Sequence, residues 1–203
     1  MEKEWNMRDM IKLFIVVAIF SAVSGGLLSL VRSATEANIE TNKLNFVKGP
    51  VVRSILEGCT NDPVKDIFKL QVNEEEKIFF VGVFKGKANT VAFEGFGKGY
   101  GGDVGVIAAI DTDSDKIVGI GVTTHSETPG LGARAKTDQA FAEQFKGLSI
   151  KDPFQVKGDG GNIDALSGAT ITSRGVCAAI MAISEAYKRL KPEIVKNTKT
   201  IVS

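Results

Sequence analysis

The densest chemistry in this 203-residue chain lies in Asp164-Ala165-Leu166-Ser167-Gly168-Ala169-Thr170-Ile171-Thr172-Ser173, which runs straight into a helical pattern. Four hydroxyls and a glycine at a helix start make an anion-binding end. The first-turn N–H groups have no partner inside the helix, and the positive end of the dipole points the same way. Thr172 or Ser173 would equally serve to cap that helix, so a held phosphate and a plain cap both fit the run. A second stretch, His125-Ser126-Glu127-Thr128-Pro129-Gly130-Leu131-Gly132, mixes donors and acceptors with Pro and Gly that stiffen a loop at a strand end, a place suited to ligand contact. A third, Gly95-Phe96-Gly97-Lys98-Gly99-Tyr100-Gly101-Gly102, contains a literal G-x-G-x-x-G. A dinucleotide site needs a strand before that pattern and a helix after it. Here a strand pattern follows, so the glycines read as a tight turn or as backbone approaching a flat ligand.

Those stretches must be positioned by an α+β domain. Lys77–Phe84 and Thr90–Phe96 read as strands separated by Lys85-Gly86-Lys87. Val104–Ile110 and Lys116–Thr124 read as a hairpin around Asp111-Thr112-Asp113-Ser114-Asp115. That acidic turn lacks the glycine and closing glutamate of a calcium loop and reads as a solvated turn. Thr137–Gln144 is helical in pattern. Ser173–Leu190 is strongly so, with Val176, Ile180, Ile183 and Tyr187 on one side and Pro192 expected after the last turn. Residues 47–72, around Pro50 and Pro63, give only mixed apolar positions.

Composition narrows the classes. With 25 Lys+Arg against 24 Asp+Glu, the chain has no basic excess for nucleic acid. Its one histidine excludes a multi-histidine metal centre, and its two cysteines fit no zinc site. Cys177, one helical turn past Ser173, reads as a small buried hydrophobe; a Cys59–Cys177 disulfide needs distances to judge. Leu13 to Val31 is an uncharged run of 19 residues, about 28 Å as a helix, close to bilayer thickness. It is too long for a signal-peptide core and lacks a good cleavage pattern. It therefore reads as a transmembrane anchor, with 1–12 before it, a polar stalk at 32–46 and a folded domain at 47–203. Ser21, Gly25 and Ser29, with Ala18, Ala22 and Gly26, would let a partner helix approach closely in lipid. Charges flanking the span favour neither orientation, and beyond residue 35 the chain carries 21 side chains of each sign.

Asp164 to Thr170 matches D-x-x-[ST]-G-A-T, and here the chain resembles the FMN-binding domains of the Rnf and Nqr respiratory complexes. The T-P-G-L-G loop at Thr128–Gly132, the upstream glycine turn at Gly99–Gly102 and a single preceding span occur in the same order as in the G subunit of Rnf and the C subunit of Nqr. The resemblance implies FMN attached covalently through a phosphoester to Thr170, by a flavin transferase that uses FAD. It implies a binding shell from Asp164, Ser167, Gly168, Ala169, Thr172 and Ser173, from His125, Glu127, Thr128, Gly130, Leu131 and Gly132, and from Lys157 nearby. It implies no catalysis by the chain alone, but electron transfer within a complex that couples ferredoxin:NAD oxidoreduction to Na⁺ or H⁺ movement. The partners would be its membrane and iron–sulfur subunits, with the flavin domain on the extracytoplasmic side. The continuation S-G-A-T-I-T-S-R and the compact length resemble Rnf more than Nqr. The alternatives are the Nqr counterpart, an anchored extracytoplasmic flavoprotein, and a tethered non-redox binding domain whose S-G-A-T run is only a cap.

Overall fold

Strands that are apolar on both faces need cover on both sides, and this chain supplies it with two helices from opposite ends of the domain. The computed structural model describes residues 7–72 and 75–201. The chain divides into two compact units between Lys43 and Leu44.

The first unit is one helix, α1 (Met7–Asn42). Residues 1–6 of the expected 1–12 segment lie outside the described residues. Met7–Glu36 is long and apolar enough to cross a membrane. Leu13, Phe14, Ile15, Val16, Val17, Ile19 and Phe20 are all exposed around its circumference. A helix that is apolar all round belongs in a core or in lipid. The polar residues expected to form a stalk continue the same helix as far as Asn42, and Lys43–Lys48 follow in a wider π-helical turn.

In the second unit, α2 (Gly49–Ile55) precedes a single antiparallel sheet of β1 (Ile67–Val72), β2 (Glu75–Phe84), β3 (Lys87–Lys98), β4 (Asp103–Asp111) and β5 (Lys116–Val122), paired in sequence order. Four strands follow the expected runs. The fifth, β1, sits with α2 in the stretch that shows only mixed apolar positions; as an edge strand, with Phe68 and Leu70 only partly buried, β1 carries a weak pattern. Lys85 and Gly86 form the β2–β3 turn with φ of 52° and 77°, the conformation a two-residue hairpin loop requires.

β3 and β4 bury both faces. On one, Val91, Phe93, Val106, Ala108 and Ile110 meet α4 (Thr170–Ile201) through Val176, Ala179, Ile180, Ile183 and Tyr187. On the other, Ala92, Ile107 and Ala109 meet Val52 of α2 and Leu56 just after it. Phe79 stacks on Phe68 and tilts against Phe93, with ring centroids 5.2 and 4.6 Å away; such aromatic pairs add about 1 kcal/mol each beyond burial. The two cysteines lie on opposite faces of the sheet and are free, so no disulfide joins them.

Helix α4 corrects the expected boundaries at both ends. It starts at Thr170 rather than Ser173 and passes through Pro192 to Ile201. Proline costs a helix one hydrogen bond and some backbone strain. Beyond it, Ile194 and Thr198 are still buried, and that packing carries the helix onward. The Thr137–Gln144 helix is shorter than expected: α3 spans Gln139–Glu143, where the Asp138 side chain accepts the Phe141 N–H at 3.2 Å and caps it.

Candidate functional site

Glycines at the end of β3 set how closely α4 packs against the sheet. A side chain at Gly97 would collide with the Gly175 carbonyl, and one at Gly95 with Ile183. The strand and the first turns of α4 are therefore in backbone contact. This corrects the reading of these two glycines, whose close approach is to the helix rather than to a ligand. The remaining glycines do form the tight turn, closed by the Gly99 N–H on the Gly102 carbonyl at 2.8 Å.

The Ser167–Ser173 run turns sharply before the helix. Gly168 sits at φ 77°, and the Ala169 N–H closes the turn on Leu166 O at 2.9 Å. Thr172 and Ser173 are not caps. Ser173 is fully buried; its hydroxyl donates to Ala169 O and accepts the Leu166 N–H, both at 3.0 Å. Thr172 is buried and its hydroxyl donates to Glu127 Oε2 at 2.5 Å. Thr170, in the first turn, is exposed, beside N–H groups that have no acceptor within the helix.

Glu127, 6% exposed, joins the three stretches. Its Oε2 takes Thr172, its Oε1 accepts the Gly101 N–H at 2.9 Å, and its own N–H donates to His125 Nδ1 at 3.3 Å. The result is an open cleft of about 520 Å³ lined by Tyr100, Glu127, Thr128, Leu131, Gly132 and the segment 168–172. That volume lies within the ordinary range for small-ligand sites, roughly 300–1,000 Å³. The rim is apolar: Tyr100, Leu131 and Ile171 are exposed. Tyr100 and Ile171 were absent from the expected shell; the signal for them was large apolar side chains inside glycine- and hydroxyl-rich runs.

Of the other expected residues, Ser167 lies within the turn before the helix, while Gly130 and His125 lie outside the cleft lining. Lys157 does not reach into the cleft: it pairs with Asp164 at 2.8 Å, and the Asp164 backbone is clamped by the Gln144 amide at 2.7 and 3.2 Å. Beside them Arg174 grips Asp159 with two bonds, at 2.7 and 2.6 Å. Those bonds hold the Asp159 carboxyl below its ordinary range and raise the guanidinium above its own. A larger cavity, about 670 Å³, lies at the opposite end of β3, lined by Gly86, Asn89, Lys191 and Thr198 among others. It holds no residue of the three stretches, so size does not select the site.

This cleft, with an exposed threonine at a helix start and an apolar rim, is lined by residues within 99–185, which match the family described as FMN-binding domain, and that match defines the class as a flavin domain. Along its length the chain is 32% identical to the G subunit of the ion-translocating oxidoreductase complex of Cereibacter sphaeroides, covering 95% of this chain and 90% of that one. It is 32% identical to the G subunit of the Na⁺-translocating ferredoxin:NAD⁺ oxidoreductase complex of Acetobacterium woodii, covering 92% and 95%. The chain belongs to this G-subunit family of ion-translocating oxidoreductase complexes. The fold resembles the C subunit of the Na⁺-translocating NADH-quinone reductase from Parabacteroides distasonis, at TM-score 0.60 and 22% identity over 77% of this chain and 96% of that one. It also resembles NqrC of Shewanella oneidensis, at TM-score 0.52 and 24% identity over 68% and 72%.

Proposed function

We propose that this chain carries one FMN as a phosphoester on Thr170 and is the flavin-bearing electron carrier of an Rnf-type complex, which couples ferredoxin:NAD oxidoreduction to Na⁺ or H⁺ movement. The observation that carries the reading is the placement of Thr170: the exposed hydroxyl of the first turn of α4, lining an open cleft, in a chain of the G-subunit family. The first-turn N–H groups and the helix dipole suit a phosphate there, and the apolar rim of Tyr100, Leu131 and Ile171 suits a flat ring. Asp164, Ser167, Gly168 and Ala169 shape the approach to Thr170; Thr128 and the Leu131–Gly132 backbone form the facing wall. Bound there, FMN supplies redox chemistry; the protein supplies attachment, placement and tuning. Covalent attachment keeps a carrier from losing its cofactor to water.

In this reading residues 1–12 are cytoplasmic, 13–31 cross the membrane, 32–46 form the stalk, and 47–203 form the flavin domain on the extracytoplasmic side. The partners are the membrane and iron–sulfur subunits of the complex, and a flavin transferase using FAD matures the chain. Intact mass after co-expression with such a transferase tests this. Wild type gains the mass of one FMN less water, with colour that survives denaturation, and Thr170→Ala gains neither. An unmodified wild type beside a transferase that modifies a control substrate would overturn the proposal.

A further inference from the structure

We infer that Glu127 is the positioning residue of this site: its buried carboxylate aligns the glycine turn with the first turn of α4 and keeps one fixed negative charge against the cleft. The inference rests on Thr170 as the attachment point, two residues from the Thr172 that Glu127 holds. Both carboxylate oxygens accept bonds, from Gly101 N–H and from Thr172 Oγ1, at 2.9 and 2.5 Å. The space around it is made by glycines of two separate stretches. A side chain at Gly99 would strike Oε1, and one at Gly132 would lie 2.5 Å from Oε2. The first glycine of the G-Y-G-G turn and the last glycine of T-P-G-L-G thus leave room for this carboxylate in the cleft that Tyr100 and Thr170 also line. His125, whose ring nitrogen accepts the Glu127 N–H, acts through it rather than on a ligand.

Glutamine at 127 keeps the shape and both contacts, since its carbonyl accepts from Gly101 and its NH₂ donates to the Thr172 hydroxyl. Only the charge is lost. Reduction of a flavin adds negative charge, which a carboxylate lining the same cleft opposes. Glu127→Gln should therefore load flavin to the wild-type mass while its midpoint potential shifts positive. Glu127→Ala leaves two donors unsatisfied and should load about tenfold more slowly under limiting transferase. Thr172→Val, which removes one donor and little volume, should slow loading while leaving the potential near wild type, and it stands in for the alanine variant if that one does not fold. A residue with a merely structural role would not move the potential of the glutamine variant. Wild-type potential in Glu127→Gln, in protein whose flavin is lost with Thr170→Ala, overturns this inference and leaves the attachment reading intact. A wild-type chain that takes no flavin overturns both.

Discussion

Three hydroxyls within four residues have three fates. Ser173 is spent on the turn before the helix, Thr172 on Glu127, and Thr170 stands exposed. Neither buried hydroxyl can replace Thr170 without breaking its own bonds, so Thr170→Ser should keep covalent flavin, whereas Thr170→Ala should show none transferred to Thr172, as peptide mass mapping would reveal. The cysteines differ in the same manner. Cys177 is buried, and burial pushes its thiol up to about 11, while Cys59 is partly exposed. Under mildly alkaline conditions the folded protein should titrate one thiol rapidly, and a second only on unfolding. Thr170 was legible through the match of Asp164–Thr170 to D-x-x-[ST]-G-A-T, since a hydroxyl-rich run before a helix suits a plain cap as well as a phosphate. The roles of Thr172 and Ser173 were not, because a cap and a buried bond call for the same residue types, and only the helix start, three residues earlier than the pattern suggested, separates them.

Helix α4 is held by contacts at both ends of the sheet. At the cleft end Gly97 and Gly175 set the spacing; Gly97→Ala forces strand and helix apart and should cost about 3 kcal/mol, the upper part of the overpacking range, measured by chemical denaturation. At the other end Asp115 accepts the Tyr187 hydroxyl at 2.9 Å and Lys191 at 2.5 Å. Partial burial pushes the Asp115 carboxyl up, but those two bonds and the lysine charge outweigh it and hold it below 3.8. The stabilisation is present above that ordinary value and is lost as pH falls through the lower folded one. Asp115→Asn should accordingly flatten the acid limb of a stability–pH curve below about pH 4. Pro192, exposed within the helix, should be replaceable by Ala with a gain of up to about 3 kcal/mol, since the helix already runs through it. Strand positions were readable from alternation and turn residues. The continuation past Pro192 was not, because propensity marks a stop there and only the burial of Ile194 and Thr198 overrides it.

Across the whole molecule, the division between Lys43 and Leu44 separates a helix without cover from a domain with its own core. A chain beginning at Leu44 should therefore stay folded and soluble, while the full chain sediments with membranes, a comparison that fractionation settles directly. The ion pair of Lys48 with Glu94, at 2.7 Å and largely buried, together with the Thr123 hydroxyl on the same carboxylate, fastens the start of that domain to its central strand. The sheet's order has a consequence for how the protein is made. Every strand pairs with its neighbour in sequence, so the sheet can assemble as the chain emerges, with short loops to close and little search. One face of β3 and β4 nevertheless stays bare until the last element arrives, and that element, α4, begins with Thr170. The Thr170 hydroxyl and the wall opposite it come together only once α4 has packed on the sheet. On the proposed attachment at Thr170, flavin loading would report that α4 has packed, because a chain whose α4 is not seated presents no cleft.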